Sequence, residues 1–493
     1  MIPPAGEIES IMKLAEPRSS KRSADRLRRM FAALGDCDDV PPGHDPLAQL
    51  CAIGVTHGWR ELERNTSSEL RERISAPAQA NLRRYLQSTL ERITQPSFEL
   101  ESTSYTLALE ALGLISPGAP PTQNKFLGNA SIERLFSIFK KFPALAGLWS
   151  LTIGQWRDHI AEILTRAVAD ERAIRGAFFA GKAAGRIIDL GLGLSDRHRD
   201  GRSVALVEFE QGRVMYKPRS GSCEEAWDSL LRAMNENGFR PLLKSARVVR
   251  RKDYHWMEYI APAGCDDTVA VRRFYKRLGG VIAGAYLLNA VDCHRENLIA
   301  AGEFPVLVDL DTLWHVSAAT KSQSATDLLY RTGFFPNSNP QSLQSRSSAL
   351  GKAATGTQSA AEHAKQIVAG FAAGWRSLVG TPRRRSAFLK RLRRIRSQER
   401  RWIYMATERY ATIIRASLQP GALTSARKRL SLIRRLCRRP SIGSGTVETE
   451  IAALARLDIP YFTGKTNEAM PAPTASPPAE LSKALRKPLE RTR

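Results

Sequence analysis

The fold is decided by the stretch VDCHRENLIAAGEFPVLVDLD, which occupies residues 291–311. Within it Asp292 and Asn297 are five residues apart, the spacing of the catalytic Asp and the metal-binding Asn in a kinase catalytic loop. Asp309 follows Asn297 by twelve residues, at the end of an apolar run typical of a strand. An Asp beside an acceptor hydroxyl can take its proton, while Asn and Asp oxygens hold Mg²⁺. The stretch therefore predicts a phosphotransferase loop, in which His294 is either catalytic or a brace.

A predicted β-hairpin lies upstream of this loop. Its two β-rich runs, residues 203–210 and 213–217, flank the turn dipeptide Gln211-Gly212. Lys217 ends the second run, 75 residues before Asp292, and kinases place the Lys that reaches the nucleotide phosphates in this chain order. The ordered set of strand Lys, loop Asp and Asn, and strand-end Asp is much more specific than the loop spacing alone.

A polar loop, LSDRHRDGRSV at residues 194–204, precedes the hairpin. In a phosphotransferase, a loop at this position would approach the phosphates, where Asp196 and His198 could orient the acceptor or help to hold a metal. The loop lacks the GxGxxG pattern of phosphate-binding loops. A solvated surface loop therefore stays open as the alternative from the residues alone.

The composition fits a folded protein rather than a disordered polycation, because 43% of the 493 residues are hydrophobic. The six Cys form no CxxC pair and no cluster with His, so neither a disulfide framework nor a structural zinc site is supported. Cys293 is expected to be a small buried residue, since no basic partner is specified for it. The longest apolar run, residues 279–291, is too short to span a bilayer. We therefore expect a cytoplasmic protein without a transmembrane segment.

The net charge of +25 raises the question of an anionic partner. Basic residues are densest between Arg383 and Arg439, where apolar residues at helical spacing predict amphipathic helices. A solvated face, an acidic peptide, a membrane surface and nucleic acid are all open from the charge alone. Nucleic acid is disfavoured because aromatic residues do not alternate with the basic ones. Peripheral membrane association stays an alternative to a purely cytoplasmic location.

Several stretches together resemble the dehydratase domain of class II lanthipeptide synthetases, the LanM type. In chain order they are FKKFPALAGLWSLTIGQWRDHIAEILTRAVADE, SDRHRDGRSVALVEFEQGRVMYKPRS, FYKRLGGVIAGAYLLNAVDCHRENLIAAGEFPVLVDLDTLWH, LLYRTGFFP, GFAAGW, RRWIYMATERY and LARLDIPYF. The resemblance implies an α/β (α+β) fold in which a lipid-kinase-like bilobal core is embedded in extensive helical accessory regions. It also implies an enzyme that uses ATP and Mg²⁺ to phosphorylate Ser and Thr of a ribosomal precursor peptide. The phosphate is then eliminated, which leaves dehydroalanine and dehydrobutyrine.

By position, the resemblance assigns the phosphorylation half of this chemistry to residues already singled out. Lys217 matches the Lys that contacts the nucleotide, and Asn297 and Asp309 match residues that bind cofactor and metal. The catalytic residues that the resemblance implies for this half are Asp196, His198, Asp292 and His294.

Phosphate elimination is assigned by the resemblance to Arg401 and Thr407 in an RxxxxxT pattern. An Arg fork can bind a departing phosphate through two hydrogen bonds. Two departures from the family pattern bear on the activity. Met405 stands where a second Arg is common, and Asp311, a third implied metal ligand, stands where Glu is common, so a metal or supporting contact could be weaker. The alternatives are a peptide kinase without elimination and a degenerate, non-catalytic remnant.

Five segments are predicted along the chain. They are a helical accessory region (1–125), a helical segment leading into the core (126–190), the kinase-like ATP-binding and catalytic core (191–320), a helical phosphate-elimination and substrate region (321–465) and a Pro/Ala-rich disordered tail (466–493). The stretch 332–369 looks short for the family. The resemblance implies a ribosomal precursor peptide as a partner. The ligands of the family's zinc cyclase are missing from this sequence, so we expect a separate cyclase as a further partner. No nucleic acid is expected.

Overall fold

The computed structural model describes most of the chain. The described residues are 5–15, 21–35, 45–118, 126, 131–313, 325–335, 360, 362–396, 400–439, 444–464 and 486. The chain divides into two compact units: residues 1–213 with 407–460 form unit 1, and residues 214–406 with 461–493 form unit 2. Residues 336–359 lie outside the described residues, and so does the predicted tail 466–493 apart from Arg486.

Helices and short antiparallel strands make up the described structure, so the α+β expectation is confirmed. The helices are α1 Ala5–Ala15, α2 Lys21–Gly35, α3 Pro46–Asn65, α4 Ser68–Glu72, α5 Ala76–Ala111, α6 Ser131–Lys141, α7 Pro143–Ala169, α8 Glu171–Phe178, α9 Ser222–Glu236, α10 Thr268–Leu287, α11 Ala325–Arg331, α12 Ala364–Val379, α13 Pro382–Arg396, α14 Thr407–Ser417, α15 Pro420–Leu423, α16 Ala426–Cys437 and α17 Ser444–Ala455. The strands are β1 Ile187–Gly191, β2 Ala205–Phe209, β3 Gly212–Lys217, β4 Val248–Arg250, β5 His255–Glu258, β6 Leu298–Ala301, β7 Phe304–Leu307, β8 Arg400–Trp402 and β9 Phe462–Gly464.

Unit 1 is built around long buried helices. α5 and α7 contact through Trp149, whose indole N–H donates to the hydroxyl of Thr94 (2.8 Å). α3 packs against the same indole, and a Cβ at Gly54 would lie only 2.6 Å from the ring. The starts of α3 and α5 are fixed by Asp45 and Ser75, whose side chains accept otherwise unpaired backbone N–H groups of the first turn. These helices hold β1 and β2, which pair antiparallel.

Unit 2 contains three antiparallel strands in the spatial order β3, β5, β4. This pairing sets Lys217, the last residue of β3, opposite His255 of β5. α10 packs very closely on α12: a Cβ at Gly370 would lie 1.9 Å from the carbonyl oxygen of Lys276, so only glycine fits there. β6 and β7 form a separate two-stranded ribbon. Because Leu298 pairs with Leu307, the ribbon brings the segment after Leu307 next to the loop before Leu298.

Two parts of the secondary structure differ from the sequence expectation. The pattern does not predict β1, where Asp189 and a final glycine interrupt a short apolar run. After Ser324 the sequence predicts helix throughout, and this is wrong at β8, which pairs antiparallel with β9. The partner of β8 lies about sixty residues further along the chain, and such a distant pairing overrides local helix propensity. No helix within the described ranges is long and apolar enough to cross a bilayer.

Candidate active site

The loop between α10 and β6 carries three of the predicted site residues, and its own side chains close it. Asn297 donates through Nδ2 to the carbonyl oxygen of Asp292 (2.9 Å), and the Asn297 backbone N–H donates to the carbonyl oxygen of His294 (2.9 Å). Asp292 has a left-handed backbone, with φ of 65°. Asp tolerates this region better than most residues, and such conformations are frequent at functional sites.

His294 contacts the carboxylate of Asp292 directly. Its Nε2 lies 3.3 Å from Asp292 Oδ1. The hydrogen bond to Asp292 raises the pKa of His294, although burial acts in the opposite direction. The imidazole of His294 and the carboxylate of Asp292 thus form a directly contacting pair.

Hydrogen bonds to backbone carbonyl oxygens fix this loop to the chain on both sides. The Thr312 hydroxyl donates to the carbonyl oxygen of Val291 (2.6 Å), and the N–H of Val308 donates to the carbonyl oxygen of Asn297 (3.0 Å). The N–H of Cys293 donates to the carbonyl oxygen of Thr332 (2.8 Å). Cys293 is buried, as predicted, and its burial raises the pKa of the thiol. The loop is therefore a fixed element.

Lys217 contacts Val308 and Asp309, the segment to which this loop is hydrogen-bonded. Its ammonium group donates to the carbonyl oxygen of Val308 and lies 3.7 Å from Asp309 Oδ1. The Lys217 side chain is only 6% exposed. Two residues 92 positions apart in the chain, predicted separately as a nucleotide-contacting Lys and a metal-binding Asp, are thus brought together.

Arg219 is the centre of a charged cluster that the sequence pattern does not indicate. It forms a two-pronged bond to Glu224, with Nη2 2.6 Å from Oε1 and Nη1 3.1 Å from Oε2. The same Nη2 donates to Asp309 Oδ1 (2.7 Å), and Nε lies 3.8 Å from Asp311 Oδ2. Burial alone would raise the pKa of Asp309, but Lys217, Arg219 and Arg401 hold it well below its usual value.

Asp311 is more enclosed than Asp309. Its side chain is 8% exposed against 37% for Asp309. The Tyr461 hydroxyl donates to Asp311 Oδ2 (3.1 Å), and the Arg401 backbone N–H donates to the Asp311 carbonyl oxygen (3.0 Å). Burial and the neighbouring Asp309 raise the pKa of Asp311. Asp311 is therefore tied to β8 and to Tyr461, whereas Asp309 keeps a partly exposed carboxylate beside Arg219.

Arg401 lies in this cluster and is mostly buried. Its Nη1 is 3.9 Å from Asp311 Oδ2, and its guanidinium lies over the ring of Tyr461, 5.1 Å from the centroid. Burial acts to lower the pKa of Arg401, but Asp311, Tyr461 and Asp309 together raise it. The guanidinium is therefore charged and stands close to the carboxylates of the predicted phosphorylation site.

The donor chemistry at this site fits a hard divalent cation. Asp309 offers a partly exposed carboxylate, and Asn297 uses its Nδ2 in the loop, which leaves Oδ1 available as a ligand. Asp311 fits less well as a direct ligand, because its carboxylate is almost enclosed and accepts the Tyr461 hydroxyl. Within the described ranges, no group of three or more His, Cys, Asp or Glu side chains is gathered as a metal site. A Mg²⁺ here would need oxygen ligands from another source as well.

The polar loop of unit 1 is held by a segment far along the chain. The carboxylate of Asp458 accepts the N–H groups of Asp200 (2.7 Å) and Gly201 (3.0 Å). His198 Nδ1 lies 2.7 Å from the carbonyl oxygen of Ile459. Burial raises the pKa of Asp458, and Arg197 opposes this. The loop that carries Asp196 and His198 is thus held in place by residues 458 and 459, while Asp196 itself is exposed.

The remaining predicted residue, Thr407, begins α14 of unit 1. The structure thus gathers one group of predicted residues in unit 2 and leaves three in unit 1. Those gathered in unit 2 are Lys217, Asp292, His294, Asn297, Asp309, Asp311 and Arg401. Those in unit 1 are Asp196, His198 and Thr407. The structure does not test the chemical role of any of them.

Four residues that hold these sites were not singled out from the sequence: Arg219, Glu224, Tyr461 and Asp458. Arg219 lies two residues after Lys217, and Tyr461 and Asp458 lie in the LARLDIPYF stretch. Their place in stretches that resemble the family was the available signal. Glu224 carried no signal beyond its position near the start of a predicted helix.

Comparisons with known proteins agree with the motif pattern. The family model described as a domain of unknown function (DUF4135) matches residues 142–359 and 345–465. A curated relative, the lacticin 481/lactococcin biosynthesis protein LcnDR2 of Lactococcus lactis subsp. lactis, is 25% identical over 130 residues. That match covers 25% of this chain and 14% of the relative's length. Since the family model spans well over half of the sequence, the chain belongs to the DUF4135 family, whose domain is found in LanM lanthipeptide synthetases.

Proposed function

We propose that this chain phosphorylates Ser and Thr residues of a ribosomal precursor peptide with ATP and then eliminates the phosphate to give dehydroamino acids. One observation carries the proposal. The Lys217 ammonium lies 3.7 Å from the Asp309 carboxylate. Val308, the residue before Asp309, donates its backbone N–H to Asn297 in the loop that carries Asp292. A strand Lys, a loop Asp and Asn, and a second Asp held in one frame are what phosphoryl transfer requires. A separate cyclase would act on the product, and no nucleic acid takes part.

In the phosphorylation step, the protein acts mainly by positioning. Asp292 would orient the acceptor hydroxyl and take its proton, while His294 keeps the Asp292 carboxylate in place. Lys217 would contact the phosphates from β3. Asn297 and Asp309 would hold Mg²⁺. The bound ion would neutralise negative charge on the phosphates.

In the elimination step, a base removes the Cα proton of the phosphorylated residue. The Cα–Cβ double bond then forms as the Cβ–O bond breaks, and the phosphate leaves. Arg401 supports this step because its buried, charged guanidinium could bind that phosphate through two hydrogen bonds. Thr407 is the second residue proposed for elimination, in line with the family pattern.

A peptide kinase without elimination is the second candidate, and one observation favours it. Met405, at the position where a second Arg is common, is 6% exposed. A buried thioether there cannot assist a departing phosphate. This observation bears on elimination and leaves the phosphorylation site untouched.

Mass spectrometry of a cognate precursor peptide tests both candidates. The peptide is incubated with the full chain, ATP and Mg²⁺, with parallel samples that lack ATP. We expect products that have lost one water mass per modified Ser or Thr, only when ATP is present. A phosphorylated product that never loses phosphate, formed in equal amount by the parent chain and by Arg401→Lys, would identify a peptide kinase without elimination. An unmodified cognate peptide, with a folded chain that also fails to bind nucleotide, would contradict the proposal and leave a non-catalytic remnant.

A further inference from the structure

Arg219 lies where a divalent cation would be expected to act. Its Nη2 donates to Asp309 Oδ1 at 2.7 Å, and Asp309 is the most accessible carboxylate of the cluster. Both Nη atoms also bind Glu224, whose side chain is 3% exposed. Lys217 is further from Asp309 and directs its hydrogen bond to a carbonyl oxygen instead. Arg219 is therefore the cation in direct hydrogen-bond contact with Asp309, and Lys217 adds a second positive charge nearby.

The charges around Arg219 balance without a metal. The carboxylate–cation cluster consists of three acidic and three basic side chains: Glu224, Asp309, Asp311, Lys217, Arg219 and Arg401. A divalent cation that entered alone would add two positive charges to a group that is already neutral. A nucleoside triphosphate carries enough negative charge to restore the balance and offers the guanidinium new phosphate partners.

The backbone of Arg219 is held as firmly as its side chain. The Arg219 carbonyl oxygen lies 2.8 Å from His255 Nδ1, and the Arg219 N–H donates to the carbonyl oxygen of Lys217 (2.9 Å). His255 is completely buried. Only the guanidinium is thus free to exchange partners, while its attachment point stays beside Lys217.

We propose that Arg219 is a positioning residue that occupies the cation place at Asp309 and makes divalent metal binding depend on the nucleotide. This inference rests on the proposed ATP-dependent function. Without nucleotide, the guanidinium competes with the metal for Asp309. With nucleotide, the phosphates draw the guanidinium away, and Asp309 becomes available to the metal.

Two binding measurements on the full chain test this, and neither depends on activity. The first is binding of Mn²⁺ alone, measured from the free Mn²⁺ signal in electron paramagnetic resonance. Arg219→Gln should bind Mn²⁺ about tenfold tighter than the parent chain, because a cation within contact distance has been removed. The second is binding of a non-hydrolysable ATP analogue with saturating Mg²⁺, measured by calorimetry. Here Arg219→Gln should bind about tenfold more weakly, because a phosphate partner is lost.

Effects of opposite sign separate this role from a purely structural one, since general damage weakens both kinds of binding. Arg219→Lys keeps the charge and should bind Mn²⁺ as weakly as the parent chain. Arg250→Gln, which removes an exposed pair with Glu225 (2.8 Å) in the same unit, should change neither. Adding Asp309→Asn to Arg219→Gln should abolish the gain in Mn²⁺ affinity.

If Arg219→Gln leaves Glu224 unpaired and the chain fails to fold, the double variant Arg219→Gln, Glu224→Gln replaces it, because removing both partners costs much less than removing one. The inference is overturned if a folded variant binds Mn²⁺ no tighter than the parent chain. A parent chain that binds no nucleotide at all would overturn the proposed function instead, and the comparison of Mn²⁺ affinities would still decide the role of Arg219.

Discussion

The predicted catalytic stretch of unit 2 and the polar loop of unit 1 are held in different ways. In unit 2, side chains of the site bond within the site itself, as Asn297 does to Asp292 and Thr312 to Val291. In unit 1, the polar loop depends on Asp458, a residue 257 positions beyond Gly201. The bonds that close the Asp292 loop join residues at most 21 positions apart, whereas the polar loop is held by a distant residue, as Asp311 is by Tyr461. We therefore expect substitutions in unit 2 to change chemistry, and substitutions in unit 1 to change the order of the loop first.

Asp309→Asn should have the largest effect. The amide keeps the shape but loses the charge that Lys217 and Arg219 contact. We expect phosphorylation of the precursor peptide to fall by about 10²–10³-fold, with the circular dichroism spectrum unchanged. Asp266→Asn is the matched control, because Asp266 is an exposed Asp of the same unit. A loss under about tenfold would show that Asp309 is not a ligand.

Asp458→Ala should have the next largest effect, a loss of stability in unit 1. It removes a buried carboxylate that accepts two backbone N–H groups, and we expect the free energy of unfolding to fall by about 3 kcal/mol. Asp458→Asn keeps one acceptor oxygen and should cost less. The measurement is urea denaturation of the full chain, followed by circular dichroism.

Arg456→Ala provides the comparison for Asp458. It removes an exposed ion pair with Asp200 of the same loop (2.5 Å), and exposed pairs contribute under about 1 kcal/mol. Equal destabilisation by the two alanine substitutions would show that Asp458 does not hold the loop.

Gly333→Ala should lower the free energy of unfolding by less than Asp458→Ala does, and it should also disturb the loop that carries Asp292. Gly333 has φ of 88°, and a Cβ there would lie 3.0 Å from the backbone nitrogen of Cys293. We expect destabilisation of about 1–2 kcal/mol from the left-handed conformation alone, with an added loss of phosphorylation. Gly113→Ala shares the positive φ but meets nothing within 4 Å. If both variants keep full phosphorylation, the contact with Cys293 does not shape the loop.

His294→Gln should have the smallest effect, and one that depends on pH. The pKa of His294 is raised in the folded chain, so its contribution to stability is full below about pH 6.5 and is lost as pH rises through the raised value. Because Asp292 is 30% exposed, we expect a cost under about 1 kcal/mol in acid and none in alkali.

His363→Gln is the control for this pH dependence. Burial lowers the pKa of His363, so the native chain loses stability there as pH falls, and the slope of the difference should be opposite. Urea midpoints between about pH 5.5 and 9 measure both variants. A pH-independent cost for His294→Gln would contradict the proposed brace on Asp292.

The catalytic stretch could be predicted from the sequence because its geometry is local. A spacing of five residues within one loop, and an apolar run that leads to Asp309, need no knowledge of distant contacts, although the strand itself ends at Leu307. The amphipathic pattern likewise predicts α13 and α16 correctly. Arg219 was missed because its role depends on carboxylates that approach it only in the folded unit.

Distant pairing explains the remaining differences. β8 pairs with β9 across about sixty residues, and no local pattern in an arginine-rich run indicates a strand. Asp458 has no sequence neighbour that suggests a bond to Asp200. The lipid-kinase-like arrangement and the segment boundaries stay predictions.

Binding of a non-hydrolysable ATP analogue with Mg²⁺, measured by calorimetry, tests the central claim most directly. The claim is that the residues around Lys217 and Asp309 form a nucleotide site. Saturable binding is predicted for the parent chain and for Lys252→Ala, an exposed Lys of the same unit, and it should be lost in Lys217→Ala. No binding by the folded parent chain, or equal binding by Lys217→Ala, would contradict the claim.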